Sequence, residues 1–392
     1  MFRQVVTPPP DLCFARGDEK HFLRELVRNG YGRTDVDSIS VGNRRDMSKP
    51  AARGKGHFLQ KVTDHRSPES DRYVHKTYRG RLGNQLFQWA SALGLAARRN
   101  ATACFGAPAR GGKDAESSPE MLFEGRFTGG AGCPSLRPCA IAPTGDRCWR
   151  LFAEQGPNRH DDLPVASSTY TGIVPPGFLQ SFRYFDAIAP LLRKRLRFKK
   201  SLQVLSSEAL SRVRRERSLA AAVALVGVHV RRGDKTHDVS NAPGSKTNLV
   251  LPSLAYWQHA MRWHRHGHKT TVHFVVVSDD LAWCKEQAVF QERDVTLLED
   301  RPAAEAFALL ACCDHAIISI GTFGWWAGWL TGGVVTYYAH EFNLSHPSSW
   351  AKPVGWRRKR GLATNGRQEP TVRRGDYYPP EWVAIHAPPA VI

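Results

Sequence analysis

From residue 219 onward the chain alternates short apolar runs with stretches of helical length, and this alternation restricts its fold more than any other feature. VALVGVHV (223–230), VHFVVVS (272–278), VTLL (295–298), HAIISI (315–320) and VVTYYA (334–339) read as buried strands. PSLAYWQHAMRWHRHG (252–267), LAWCKEQAVF (281–290), AAEAFALLACC (303–313) and FGWWAGWLTGG (323–333) read as the helices between them. Strands separated by helices of this length cannot pair as hairpins. They make a parallel sheet wrapped by helices, an α/β fold. In such sheets ligands bind at the carboxyl ends of the strands. The loops HVRRGDKTHD (229–238), SDDLAW (278–283) and GTFGWW (321–326) therefore occupy the places where a site is expected.

Upstream the signals are sparser. GRLGNQ (80–85) precedes LFQWASALGLAARR, in which Leu86, Ala90, Leu93 and Ala97 recur at helical spacing, so an amphipathic helix follows a glycine turn. Residues 106–148 read as loop. Another helix opens between Phe178 and Leu192, and 191–218 is strongly basic and helical in pattern. That stretch reads as a solvated basic helix, because it interleaves no aromatic platform for stacking bases. Residues 1–75 are polar and lack sustained periodicity, apart from a short helix expected over 21–32.

The formal net charge of +19 points to anionic partners without choosing among nucleic acid, acidic membrane and a phosphorylated small molecule. The eight cysteines show no spacing for zinc. Cys133, Cys139 and Cys148 lie in a loop that a disulfide could staple or that could carry reduced thiols; Cys312 and Cys313 read as core. The first twenty residues hold no continuous apolar region, and the longest apolar run, 219–230, is too short to cross a bilayer. Two sequons occur, at Asn100 and Asn343.

Three loops carry the chemistry. His229, Arg231, Arg232 and Lys235 concentrate cations after a buried strand, with Gly233 allowing close approach; guanidinium forks match diphosphate oxygens. The same arginines could instead pair with Asp234 or another acid. Gly83, Asn84 and Gln85 belong to a glycine turn before a helix, where backbone N–H groups face outward. Ser319, Thr322 and Phe323 open a second helix N-terminus, while Trp325 and Trp326 continue at helical spacing as core.

GRLGNQLFQWASALGLA, HVRRGDKTHD, VVVSDDLAWCKE and FALLACCDHAIISIGTFGWWAGWLTGG, in this order, resemble the motif set of the galactoside α-1,2-fucosyltransferases. GFLQSFRYF (177–185) and PPEW (379–382) are similar to family elements as well. The resemblance spans about residues 78–345 and reaches toward 385. It implies a GT-B-like fold of two Rossmann-like domains facing a cleft. A flexible segment (1–75) would precede an acceptor-side domain (76–218), a GDP-fucose-binding domain (219–345) and a C-terminal segment packing back (346–392). It implies inverting transfer of L-fucose from GDP-fucose to the 2-hydroxyl of a terminal galactoside, without a divalent metal or a cofactor.

By the same resemblance Arg231, with Arg232, would hold the diphosphate, and His229 would support the nucleotide or the loop. Gly83, Asn84 and Gln85 would meet the donor from across the cleft, and Ser319, Thr322 and Phe323 would line its pocket. The general base would be Asp234, His237 or Asp238, with Asp234 favoured. The partners would be GDP-fucose and a galactose-terminated glycan, with no nucleic acid, and the location would be the Golgi membrane. Lys235 stands where the family often has an aromatic residue, and Ala306 where an acid usually precedes FALL. Two alternatives remain: a fucosyltransferase with another acceptor, α-1,6 or protein-linked, and a non-catalytic GDP-sugar or glycan binder.

Overall fold

The computed structural model describes residues 73–99, 101–106, 118–125, 127, 137–138, 148–151, 160, 172–174, 177–236, 248–345 and 373–390. The short helix expected over 21–32, Cys133, Cys139, Asn100, His237 and Asp238 lie outside them.

Two parallel sheets organise the chain. The first is built from β1 (Tyr73–Thr77), β2 (Thr102–Gly106), β3 (Arg137–Pro138), β4 (Cys148–Leu151) and β5 (Gly172–Val174), in the order β2-β1-β5-β4-β3. Helix α1 (Leu82–Arg98) links β1 to β2, and the short α2 (Pro119–Leu122) follows. Helices α3 (Ala189–Arg195) and α4 (Lys200–Glu216) lead into the second half. There β6 (Ala224–Val230), α5 (Leu254–Gly267), β7 (Val272–Ser278), α6 (Leu281–Glu286) and β8 (Val295–Leu297) run to one edge. Helix α7 (Ala303–Ala311), β9 (His315–Ile318), α8 (Thr322–Thr331), β10 (Val335–Tyr338), α9 (Arg374–Tyr377) and β11 (Val383–Ile385) run to the other. The strand order is β11-β10-β9-β6-β7-β8, every pairing parallel. Two Rossmann-like sheets in one chain are the α/β, GT-B-like architecture that the sequence implied.

All five apolar runs of the second half form the strands expected of them. The strands that sequence patterning passed over are two to five residues long: those of the first sheet and β11. A run so short carries too little alternation to stand out from loop. Helix α1 differs in kind from the amphipathic helix expected, because nearly every residue from Leu82 to Ala97 is buried. It is covered by its own sheet on one side and by α8 of the second half on another. Its inward polar side chains are answered by backbone: Ser91 Oγ donates to the Leu179 carbonyl at 3.0 Å.

The helical run expected over 191–218 is interrupted between α3 and α4. Leu196–Lys199 pairs instead with the end of α2: Phe123 and Phe198 form an antiparallel bridge, Glu124 N–H donates to Arg197 O at 2.9 Å, and Lys199 N–H to Leu122 O at 2.8 Å. The stretch before it, 178–188, forms two 3₁₀ turns, Phe182–Tyr184 and Asp186–Ile188. The basic residues of α4 do more than meet solvent. Arg214 binds the Val223 carbonyl at 3.0 Å, and Arg217, just beyond the helix, binds Val295 O at 3.1 Å, so they hold the connection into the second sheet. Cys312, read as plain core, is disulfide-bonded, as is Cys104, whereas Cys313 beside it is a buried free thiol.

One apolar core runs through both halves, from Val74 and α1 across Phe185 to Trp325, Trp326 and Tyr377. A second, around Tyr256, Trp257 and Phe290, covers the other face of the second sheet. Trp325 and Trp326 are fully buried, and Trp325 Nε1 donates to the Tyr377 carbonyl at 2.9 Å.

Candidate active site

In the second sheet the chain runs one way from β6 through β7 to β8 and the other way from β9 through β10 to β11. The neighbours β6 and β9 therefore flank a topological switch point, where open parallel sheets leave a crevice. Register places their carboxyl ends side by side, with His229 opposite Ile318, and β6 ends level with Ser278 of β7. The loops at 231–236, 279–280 and 319–322 consequently emerge together. The turn before α1 meets them from the other half.

Arg231 is the centre of this cluster. Its guanidinium pairs with both Asp279 and Asp234, and its main-chain N–H donates to Ser319 Oγ at 2.9 Å. Arg232 donates from its main chain to Asp279 Oδ1 at 2.8 Å and from Nε to Asp280 at 3.2 Å. Its guanidinium lies 3.9 Å over the Trp283 ring. Asp280 also caps α6 by accepting Trp283 N–H at 3.2 Å. The arginine loop is thus fastened by the two acids that follow β7. The sequence places SDDLAW at a strand's carboxyl end, where a site is expected, but no local pattern pairs Asp279 or Asp280 with the arginines.

Asp234 is half exposed and joins the halves: Arg81 Nη2 reaches it at 3.1 Å while Arg231 holds its other oxygen. Partial burial raises its pKa, but Arg231, Lys235 and Arg81 together outweigh that and hold the carboxyl below the ordinary range. Arg81 is a site residue that sequence reasoning did not select, although it stands inside GRLGNQ.

The rest of the GRLGNQ turn divides its work. Asn84 Oδ1 accepts from Thr322 Oγ1 at 3.0 Å and from Gln180 Nε2 at 2.7 Å, tying the N-termini of α1 and α8. Gly83 is where these two helices touch: a β-carbon there would sit 2.6 Å from the Thr322 main chain. Gln85 is fully buried, with its amide on the Gly80 carbonyl at 2.8 Å. Gly83 and Gln85 therefore shape the junction from within.

His229 is buried behind the loop. Its ring lies 5.2 Å from that of Phe323, 3.4 Å from Ser319 Oγ, and against Gly324, where a β-carbon would collide with the imidazole. Burial pushes its pKa down to about 4; Asp279 opposes that shift and Arg231 adds to it, so the ring is neutral near pH 7. Of the predicted residues, Arg231, Asp234, Asn84, Ser319 and Thr322 come together at the cleft. His229, Gln85 and Gly83 back them, and Arg232 is committed to Asp280 and Trp283.

A cationic fork at a strand end, beside the N-terminus of α8, suits an anion with two adjacent phosphate groups. Residues 177–354 match the family model described as glycosyl transferase family 11. The chain is 31% identical over 343 residues to "Galactoside alpha-(1,2)-fucosyltransferase 1" of Saimiri sciureus, covering 84% of each protein. It is 33% identical over 278 residues to the protein of the same name from Homo sapiens, covering 69% of this chain and 68% of that one. Among solved structures it is similar to the fucosyltransferase NodZ from Bradyrhizobium, at 17% identity and a TM-score of 0.38, over 65% of this chain and 92% of that one.

Proposed function

We infer the reaction from one premise: the chain belongs to the galactoside α-(1,2)-fucosyltransferases, glycosyl transferase family 11. It is a fucosyltransferase that moves L-fucose from GDP-fucose to the 2-hydroxyl of a terminal galactoside, in one displacement with inversion. The observation that carries the reading is the Arg81–Asp234–Arg231 junction, set where the β6 and β9 loops meet the N-terminus of α1.

In this reading Arg231 stabilises the negative charge that grows on the departing diphosphate, which is where fixed cations give most of their effect. The N-terminus of α8, with Thr322, supplies further donors, and Asn84 holds it against the acceptor-side half. Asp234 is the base within reach of the cleft among the described residues predicted for that role. As a carboxylate held by Arg231 and Arg81 it is a poor proton acceptor. A bound diphosphate would compete for both guanidiniums and so release Asp234 to take the proton of the acceptor hydroxyl. His229 remains neutral and keeps Phe323 and the Ser319 turn in place.

The acceptor is a galactose-terminated glycan that approaches from the first half, past Arg81 and Gln180. An oxidising compartment, and with it the Golgi lumen, is supported by the disulfide-bonded Cys104 and Cys312.

The test is transfer of fucose from GDP-fucose to a β-galactoside, with and without EDTA, beside Arg231→Ala. We expect a 2-linked product insensitive to EDTA, with kcat/KM down about 10²–10³-fold in the variant. GDP-fucose binding without transfer to any galactoside, or full activity in the variant, would refute the reading.

A further inference from the structure

Glu341 follows β10 and is only 2% exposed, and no part of the reaction described above uses it. Its Oε1 accepts the Gly321 N–H at 2.7 Å, and its Oε2 bonds the Tyr378 hydroxyl. Gly321 has φ +86° and stands immediately before α8. Its N–H is therefore one of the donors at the helix end that faces the arginine loop. The Glu341 carbonyl in turn accepts Val250 N–H at 2.8 Å. One residue thus connects the β9–α8 turn, the strand-like segment at 249–252 and the C-terminal segment beyond α9.

The groups facing this carboxyl are phenols: Tyr256 from α5, against whose ring Tyr338 of β10 packs, and Tyr377 and Tyr378 at the end of α9. His340 adjoins it in sequence, and Arg374 acts on His340 and Tyr337. Burial lifts the Glu341 carboxyl to about 8, against the opposing pull of the Gly321 N–H. Burial also lifts Tyr338 to about 12 and raises Tyr256 and Tyr377 well above the ordinary phenol range, and it lowers His340. Of Glu341, Tyr256, Tyr338, Tyr377 and His340, Glu341 is the one whose charge changes between pH 7 and 9.

Charge decides what this arrangement does. A carboxylate aimed at the N-terminus of α8 would draw on the donors and the positive end of the helix that a diphosphate needs. An uncharged carboxyl keeps the turn in place without that competition: its Oε1 accepts from Gly321, and its Oε2 stays bonded to the Tyr378 hydroxyl. We propose that Glu341 is a positioning residue for donor binding, fixing the β9–α8 turn as an uncharged hydrogen-bonding group. This rests on the assignment of the donor diphosphate to that turn.

The sign follows from the protonation equilibrium. The folded protein holds the proton more tightly than the unfolded chain, so the contribution of Glu341 is complete in mild acid and is lost as pH rises through about 8.

The experiment is calorimetric titration of the full chain with GDP at pH 7 and pH 9, together with thermal unfolding. We expect wild-type affinity to fall about two- to fivefold between the two pH values, the effect of one unit charge at a helix end. Glu341→Gln keeps both hydrogen bonds and cannot ionise. It should bind GDP as well as wild type at pH 7 and lose that alkaline decline. Tyr378→Phe removes a donor that favours the ionised form, so its decline should move to higher pH. Equal pH slopes in wild type and Glu341→Gln, or an unmoved inflection in Tyr378→Phe, overturn the proposal even when GDP binds. If Glu341→Gln fails to fold, Tyr378→Phe decides alone. A wild-type chain that binds no GDP at either pH overturns the donor assignment and this inference with it.

Discussion

Two strand–turn–helix junctions face each other across the cleft, and they are closed in opposite ways. The turn before α1 is closed by its own helix. Gln88 Nε2 donates to the Arg79 carbonyl at 2.7 Å and the Asn84 carbonyl at 2.8 Å, its Oε1 accepts Arg79 N–H at 3.1 Å, and Gln85 holds Gly80. The turn before α8 is closed from elsewhere: Glu341 holds Gly321, Arg231 N–H meets Ser319, and Asn84 of the first junction accepts from Thr322. The groups that close the first are local and uncharged, the side-chain amides of Gln85 and Gln88. The second depends on groups brought in from three other segments, one of which, Glu341, titrates. A self-closed turn can serve as a fixed wall, whereas a turn closed from outside responds to what binds around it.

The largest effect is expected where the junctions are joined by charge. Asp234→Asn removes the bridge between Arg81 and Arg231, and as loss of the base it should lower kcat about 10²–10⁴-fold. GDP affinity should hold or rise, because both arginines become available to phosphate. Steady-state kinetics beside a GDP titration reads both, and full turnover would remove Asp234 as the base.

Next comes the steric contact. Gly83→Ala puts a methyl group against the Thr322 main chain, so one junction must shift. A displacement of about an ångström at a reacting centre costs roughly 10²-fold in kcat/KM, and crowding of this kind costs about 1–3 kcal/mol of stability. An active, undestabilised variant would mean the two helix ends do not bear on each other in solution.

Gln88→Leu tests the self-closed turn. It removes hydrogen bonds to part-buried main-chain groups at Arg79 and Asn84, for which about 0.5–1.5 kcal/mol each is expected in chemical denaturation. Its pH–stability profile should run parallel to that of wild type, since amides do not titrate. A changed slope would mean the first turn is coupled to ionisable groups after all.

The smallest effect concerns acid. His229 has its pKa lowered from 6.5 to about 4, so the folded state favours the neutral ring. Its contribution is complete above pH 6.5 and is lost as pH falls toward 4. Unfolding measured across that range should show stability declining, with a shallower slope in His229→Gln. Identical slopes would assign the acid limb to other groups; His315, also lowered to about 4, is one such group.

The contrast between the junctions is also a contrast in legibility. GRLGNQ, with the helix after it, contains both its turn and the residues that close the turn within ten positions, so its form can be read along the chain. Only its burial on all sides could not be, because that depends on α8 arriving from more than two hundred residues away. Likewise His229-Val230-Arg231-Arg232 announced a cationic loop after a strand, but not that Asp279 and Asp280 would hold it. Glu341 and Tyr378 gave no signal at all, being single polar residues in segments without periodicity.

The sequence by itself determined the alternation of strands and helices from 219 to 339, the cationic loop after β6, and the placing of both glycine turns before helices. These follow from hydrogen bonds and side-chain periods that repeat within a few residues, so neighbours in sequence encode them. Tertiary structure alone decided that the β6 and β9 loops share one crevice, that Arg81 closes on Asp234, and that a buried glutamate steadies the turn before α8. Each of these joins groups distant along the chain, and what joins them is the packing of one apolar core through both halves, which no local pattern records.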